Sequence, residues 1–381
     1  MSAYLDLVRL PGIARITAAQ LLARFPLGML SLAVLLHVER LTGSYAVAGV
    51  VVACLSVGQA VAMPLTSRLA ARLGVQATVA VLATVNAAAM LVLALGGPQP
   101  PLLIALGLVI GVTVPPLMPV VRALYPRLAP EESVPALFAL DTSAQELIWI
   151  LGPVAATLLA TTVSTAFPLL LAAGVAIVGT LWFLLSPHLG GLRLERNRAP
   201  FGRVLAVRSM RLAVAASFGL VASFGALEIA LVTRFSAQGP LVGVAIAIAS
   251  LGSLVGGFAL GHRRLGPRTL ALILAGMAAA TAAAGLITAL LPLFAVMFLS
   301  GLGYAPALAT LYAMVSESLG EGESAEAFGW LNTAGLVGGA AGTAVAGFAG
   351  QGGGSFGPFL VATAFVALAA VLPLVPGVRP R

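Results

Sequence analysis

Twelve stretches of about 20 or more mostly apolar residues follow one another along this chain, and that pattern leaves few folds open to it. About 30 Å of hydrocarbon crossed at 1.5 Å per residue requires about 20 residues, so each stretch is long enough to span a bilayer as a helix. Their limits are 12–37, 44–66, 75–95, 101–125, 134–160 and 165–187, then 212–233, 239–261, 269–290, 293–317, 326–349 and 356–376. The runs are continuous and rich in Ala, Leu and Gly, whereas membrane strands would show short alternating segments. With 60% hydrophobic and 8% charged residues over 381 positions, no water-filled exterior accommodates the apolar surface, and lipid must be its solvent. The fold class expected is therefore all-α, integral to a membrane, with twelve transmembrane helices. The first stretch is longer than the apolar core of a secretory signal and more follow it, so it reads as a spanning helix.

Every one of the 20 basic residues is Arg, and most fall in connections on one side of the alternating helices. With the N-terminus inside, the cytoplasmic set is Arg9, Arg15, Arg68, Arg72, Arg122, Arg127, Arg193, Arg196, Arg198, Arg203, Arg208, Arg211, Arg263, Arg264, Arg268, Arg379 and Arg381. Arg40 and Arg234 lie outside and Arg24 lies within a helix. Positive residues flanking helices are retained on the cytoplasmic side, so both termini are expected there, which needs an even number of spans. The same scatter argues against nucleic acid despite the net charge of +8, because the Arg residues form no basic domain. The lone Cys54 sits in an apolar run and excludes a disulfide framework or thiolate cluster.

The longest polar interval, Ser186 to Arg211, holds six Arg residues with Glu195 as its only acid, and it divides the spans six and six. Such a basic segment suits anionic lipid headgroups, with a regulatory site as the other reading. Internal repetition agrees with the division: Arg72-Leu73-Gly74 recurs as Arg264-Leu265-Gly266, an offset of 192 residues. Phe138 and Phe328 are 190 apart, as are Gly152 and Gly342. The expected units are a six-helix bundle at 1–187, an Arg-rich cytoplasmic linker at 188–211 and a second six-helix bundle at 212–381.

On these features the sequence resembles the major facilitator superfamily, and it resembles it along its whole length. The family's signature between helices 2 and 3, G-x-x-x-D-R-x-G-R-R, aligns with Ser67 to Gln76. Arg72 and Gly74 match, while Ser67, Ala71, Val75 and Gln76 depart from it. The resemblance implies a gating role for this loop, which includes Arg68, and for its repeat at Arg264 and Gly266. Arg72 as a headgroup anchor is the other reading. In helix 5, Gly152-Pro153 stands where exporters of the superfamily carry a Gly-Pro pair, although Ala144, Ile148, Ala156 and Thr157 replace the flanking glycines. The pair favours export over import. It equally permits a kink and close helix packing.

Ionisable groups inside lipid cost about 2.5–3.5 kcal/mol on insertion scales and so mark function. Counted from the expected cytoplasmic ends, Arg24 of helix 1 and Glu146 of helix 5 both lie about 18 Å deep, Asp141 about 10 Å and Glu228 of helix 7 about 24 Å. The resemblance implies that helices 1 and 5 pack together, so Arg24 and Glu146 are expected to pair. Two readings of that pair stand: a switch that binds and releases a proton, or a permanent brace. Thr142, Glu146, Trp149 and Pro153 share one helical face, which is cavity lining or packing. Glu228 has no nearby basic residue in its helix until Arg234 and is either a proton or substrate-cation site or a buried hydrogen-bonded carboxyl. Asp141 is a further candidate for proton coupling or substrate binding, or else a structural partner within reach of Arg122 or Arg127. Tyr304 and Tyr312 on helix 10 either line a pore or find local partners.

His37, His188 and His262 form no metal constellation, and a chain without Lys has no phosphate-binding loop of the nucleotide-dependent pumps. No cofactor is expected, and an ion gradient must supply the work. The leading expectation is a proton-coupled secondary transporter exporting a small, partly apolar molecule by alternating access. Its partners would be that substrate, protons and membrane lipids, and it would act as a monomer in a bacterial cytoplasmic membrane. Import is the alternative within that class. A non-transporting membrane enzyme or receptor of the same fold is the alternative outside it, but an enzyme would gather its polar residues at one depth.

Overall fold

A computed structural model describes residues 12–187, 200–235, 239–260, 263, 265–350 and 354–375. In the first half of the chain the α-helices are α1 (Ile13–Arg24), α2 (Pro26–Thr42), α3 (Tyr45–Leu73), α4 (Val75–Leu95), α5 (Pro100–Val112), α6 (Leu117–Leu128), α7 (Val134–Thr162) and α8 (Phe167–Leu184). The second half contributes α9 (Arg208–Arg234), α10 (Gly239–Leu260), α11 (Pro267–Leu286), α12 (Leu290–Gly301), α13 (Tyr304–Ser318), α14 (Glu321–Ala349) and α15 (Phe356–Val371). A helix satisfies its own backbone groups, which is what lipid demands of any segment that crosses it.

Three pairs, α1–α2, α5–α6 and α12–α13, are single passes interrupted near their middles. Pro26 at the start of α2 and the Pro115-Pro116 pair before α6 lack the backbone N–H that would continue the ladder, and the third break falls at Gly301–Gly303. With each pair counted once, eleven helical stretches among the described residues are long and apolar enough to cross a membrane. The 29-residue α14 has the length but is not among those eleven.

Because successive passes alternate in direction, residue 12, the α3–α4 connection, the start of α11 and residues 200–207 share one end of the molecule. Arg15 donates to the Leu185 carbonyl at 3.1 Å across that end. Arg68, Arg72, Arg127, Arg203, Arg208, Arg211, Arg263 and Arg268 belong to it as well, so it is the basic end.

The hydrophobic cores show how the halves meet. At the basic end one continuous core takes residues from both, including Ile16, Ala70, Leu124 and Phe138 from the first and Ala213, Leu270, Leu311 and Phe328 from the second. Towards the opposite end the core divides. One cluster there is drawn only from residues 29–173 and another only from residues 226–362.

The two halves repeat each other in packing detail. A Cβ on Gly152 would lie 2.7 Å from the Gly28 Cα of α2, and a Cβ on Gly342 would lie 2.8 Å from the Ala222 Cα of α9. Glycine is thus required where α7 crosses α2 and where α14 crosses α9, since any side chain would drive the backbones apart. The other repeated pair, Phe138 and Phe328, meets at the seam with ring centroids 5.8 Å apart. Gly74 adopts φ +101 between α3 and α4, a conformation open to glycine, whereas its repeat Gly266 has φ −76 and no such requirement. Arg264 lies outside the described residues, as do residues 188–199 of the 188–211 interval.

Candidate functional site

Asp141 organises the polar interior of the first half. Its Oδ1 accepts from Arg24 Nη1 at 2.8 Å and from Gln20 Nε2 at 2.9 Å, and its Oδ2 accepts from Arg122 Nε at 2.7 Å. Arg24 also donates to Gln20 Oε1 at 2.7 Å and to Gln145 Oε1. Arg24 and Arg122 are 4% and 1% exposed, and Asp141 is 1% exposed, so one carboxylate answers two guanidinium groups out of contact with water. Arg122 in turn lies 3.7 Å from the ring centre of Tyr312 in the second half, a cation–π contact that faces its excess charge with a π cloud.

The expected Arg24–Glu146 pair is corrected by this network: Arg24 pairs with Asp141, and no Arg24–Glu146 contact occurs among the described residues. Helical geometry explains the exchange. At 100° per residue Gln145 sits four places and about 40° from Asp141, on the same face, while Glu146 sits about 140° away. Equal depth therefore brought Arg24 no closer to Glu146, and the long Arg side chain reaches the carboxylate that faces it. Asp141 does find Arg122, one of the two partners anticipated for it.

Glu146 points the other way, into the second half. Its Oε1 accepts from Ser253 of α10 at 2.9 Å. It shares a cavity of about 30 Å³ with Ser223, Ser250, Ser253, Thr281, Ser300 and Tyr304, all from helices of the second half. Thr142 is buried beside it on the helix, whereas Trp149 on the same face is about half exposed. Glu228 forms no ion pair among the described residues, and Arg234 is engaged with the Ala284 and Ile287 carbonyls instead. Tyr304 stands within electrostatic range of both Glu146 and Glu228. Pro153 lies inside α7 one turn beyond Trp149, and its carbonyl accepts from the Thr157 hydroxyl at 2.9 Å.

A second constellation closes the basic end. Arg68 donates to Glu326 of α14 at 3.1 Å, with both side chains buried, and the Gly202 N–H donates to the other oxygen of Glu326 at 2.7 Å. Phe201 lies under the Arg68 guanidinium and against Trp330. Thr333 donates to the Ala60 carbonyl at 2.5 Å, and a Cβ on Gly329 would lie 2.7 Å from the Pro64 Cα. Sequence reasoning singled out Arg68 but not Glu326, Ser253 or Gln145. Glu326 begins an apolar run and reads as a helix-end charge until α3 is brought beside it.

The sequence model of the Major Facilitator Superfamily matches residues 16–233 and again residues 210–381. The chain belongs to the major facilitator superfamily. No curated protein matches the sequence significantly. Among solved structures, this superfamily member is similar to the human organic anion transporter MFSD10, at a TM-score of 0.77 and 18% identity, covering 94% of this chain and 98% of that one. It is similar to the E. coli fucose:proton symporter FucP at a TM-score of 0.78 and 15% identity, covering 95% and 97%. A bacterial homologue of the iron transporter ferroportin, in an outward-facing state, aligns at a TM-score of 0.74 and 16% identity over 95% and 98%. At such identities the likeness is one of fold. The superfamily member is a transporter rather than an enzyme.

Proposed function

We propose that this protein is a proton-coupled secondary transporter that exports a small, partly apolar molecule by alternating access, with twelve spans arranged as two six-helix bundles at 1–187 and 212–381. The observation that carries the reading is Glu146: a carboxyl on a helix of one half, hydrogen-bonded across the seam to Ser253 of the other. A carboxyl in that position links its protonation state to whether the halves hold together, which is what coupling requires. Glu228, near the same Tyr304, is the second candidate. Export is favoured by the Gly152-Pro153 pair. The structural likeness to a fucose:proton symporter keeps proton-coupled import as the second reading. A metal cargo fits less well, because no three His, Cys, Asp or Glu side chains converge among the described residues.

The Arg68–Glu326 contact would be the cytoplasmic gate, closed here, with both termini and the Arg-rich interval on that side of a bacterial cytoplasmic membrane and the protein acting as a monomer. Two experiments test the reading. In proteoliposomes, Glu146→Gln or Glu228→Gln is expected to abolish accumulation driven by a pH gradient while leaving downhill flux or exchange; wild-type accumulation in both single variants and the double variant refutes proton coupling at these acids. In a Cys54→Ala background, Pro200→Cys is expected to react with an impermeant thiol reagent in inside-out vesicles only. Labelling in intact cells reverses the orientation.

A further inference from the structure

The cavity around Glu146 is too small for the transported molecule. Pockets for drug-sized compounds measure about 300–1,000 Å³, whereas this one holds about 30 Å³, room for one or two water-sized spheres. Its lining is nonetheless rich in oxygen. Ser223, Ser250, Ser253, Thr281, Ser300 and Tyr304 each bring a hydroxyl, and Glu146 brings a carboxylate. Ser223 and Ser250 are buried and line the cavity, so their side chains stand where a ligand held there would meet them. Thr281 and Ser300 are 3.0 Å apart and bond to each other.

The backbone adds a second feature. The α12–α13 pass breaks at Gly301–Gly303, and Ser300, Gly301 and Tyr304 on either side of that break line the cavity. Interrupted membrane helices turn the negative ends of their dipoles toward bound cations. Hydroxyl and carbonyl oxygens with a single carboxylate suit a hard cation of low charge, since divalent ions gather more carboxylates.

The geometry points to a site for a small monovalent cation, Na⁺ or Li⁺, held by Glu146 and the surrounding hydroxyls in competition with the proton. It rests on the reading of Glu146 as the coupling group and names the ion that shares that group. The charged and titratable neighbours permit it. Tyr304 of α13 lines the same cavity as Glu146, and Glu228 of α9 acts electrostatically on that tyrosine as well. The described part of α10, like α8 and α12, carries no ionisable residue. Arg24 of α1 and Arg122 of α6 are turned to Asp141. An ion here would tie Glu146 to α10, α11 and α12–α13 together and thus report on the closed seam.

The test is a thermal melt of the purified full chain in detergent, followed by tryptophan fluorescence, in NaCl, LiCl, KCl or choline chloride at equal ionic strength. At pH 8.5, Na⁺ is expected to raise Tm by about 3 °C or more over choline. K⁺ is expected to give less than half of that, and the Na⁺ effect is expected to shrink at pH 6 as protons occupy the carboxylate. Glu146→Gln should lose the response, and Ser250→Ala with Ser253→Ala should weaken apparent Na⁺ affinity about tenfold, a readout that remains if Glu146→Gln fails to fold. Equal melting of the wild type in NaCl and choline chloride overturns the site, as does a Na⁺ response that Glu146→Gln retains. Accumulation driven by a pH gradient without Na⁺ stabilisation overturns the ion site alone; Na⁺ stabilisation without such accumulation overturns proton coupling and leaves the site.

Discussion

Asp141 is the residue whose loss the first half tolerates least. Removing one partner of a buried ion pair leaves an uncompensated charge and costs about 3–5 kcal/mol. Here one carboxylate serves both Arg24 and Arg122. Asp141→Asn should therefore lower thermal stability more than Arg24→Gln, which leaves Asp141 still matched by Arg122. Because the two side chains are in direct contact, the double variant should be more stable than Asp141→Asn alone by about 1 kcal/mol or more, measured as a difference in denaturation midpoint. Arg24→Gln and Glu146→Gln, by contrast, should act additively. Strong coupling between them would contradict the orientation of Glu146 away from the Arg24 network. Arg24, Asp141 and Glu146 were legible in the sequence as buried charges, yet their pairing was not, because a difference of five residues against four decides which face of α7 a carboxylate occupies.

At the scale of the helices, the close crossings of α7 on α2 and of α14 on α9 make the sharpest demand. A Cβ at either glycine would fall inside van der Waals distance of the facing backbone. Gly152→Val is expected to cost about 1–3 kcal/mol by overpacking and to reduce the yield of folded protein in size-exclusion chromatography. Gly276→Val, at a position where a Cβ meets nothing within 4 Å, should be tolerated. Equal behaviour of the two variants would remove the packing argument. The repeat at an offset of 190 residues carried this information in the sequence, since Gly152 and Gly342 recur in step. The repeat at Gly74 and Gly266 proved unequal, because only the first requires a positive φ.

For the whole molecule, the decisive arrangement is a single core at the basic end and two cores at the other. Contacts that exist only in the closed seam bias the equilibrium between its closed and open arrangements by their own free energy. Glu326 accepts from both Arg68 and the Gly202 N–H, so Glu326→Gln should weaken the seam on two sides. A fully buried Ser67, replaced by Cys in a Cys54→Ala background, is expected to react with a small thiol reagent about tenfold faster when Glu326→Gln is added, as a shift of about 1.4 kcal/mol requires. An unchanged rate would show that Arg68 and Glu326 do not hold the seam.

Apolar run length fixed the helical, membrane-spanning class, because lipid leaves a backbone no other way to satisfy its polar groups. The internal repeat and the matches around Arg72 and Gly152 carried the family, and the buried charges marked where chemistry had to be sought. Apart from Asp141 with Arg122, tertiary structure decided the partners. Arg68 and Glu326 are 258 residues apart and Glu146 and Ser253 are 107 apart, and nothing in either local pattern announces the other. A helix fixes the direction of a side chain only to about its own face, and whether that face meets lipid, its own half or the opposite half depends on packing among helices far apart in the chain.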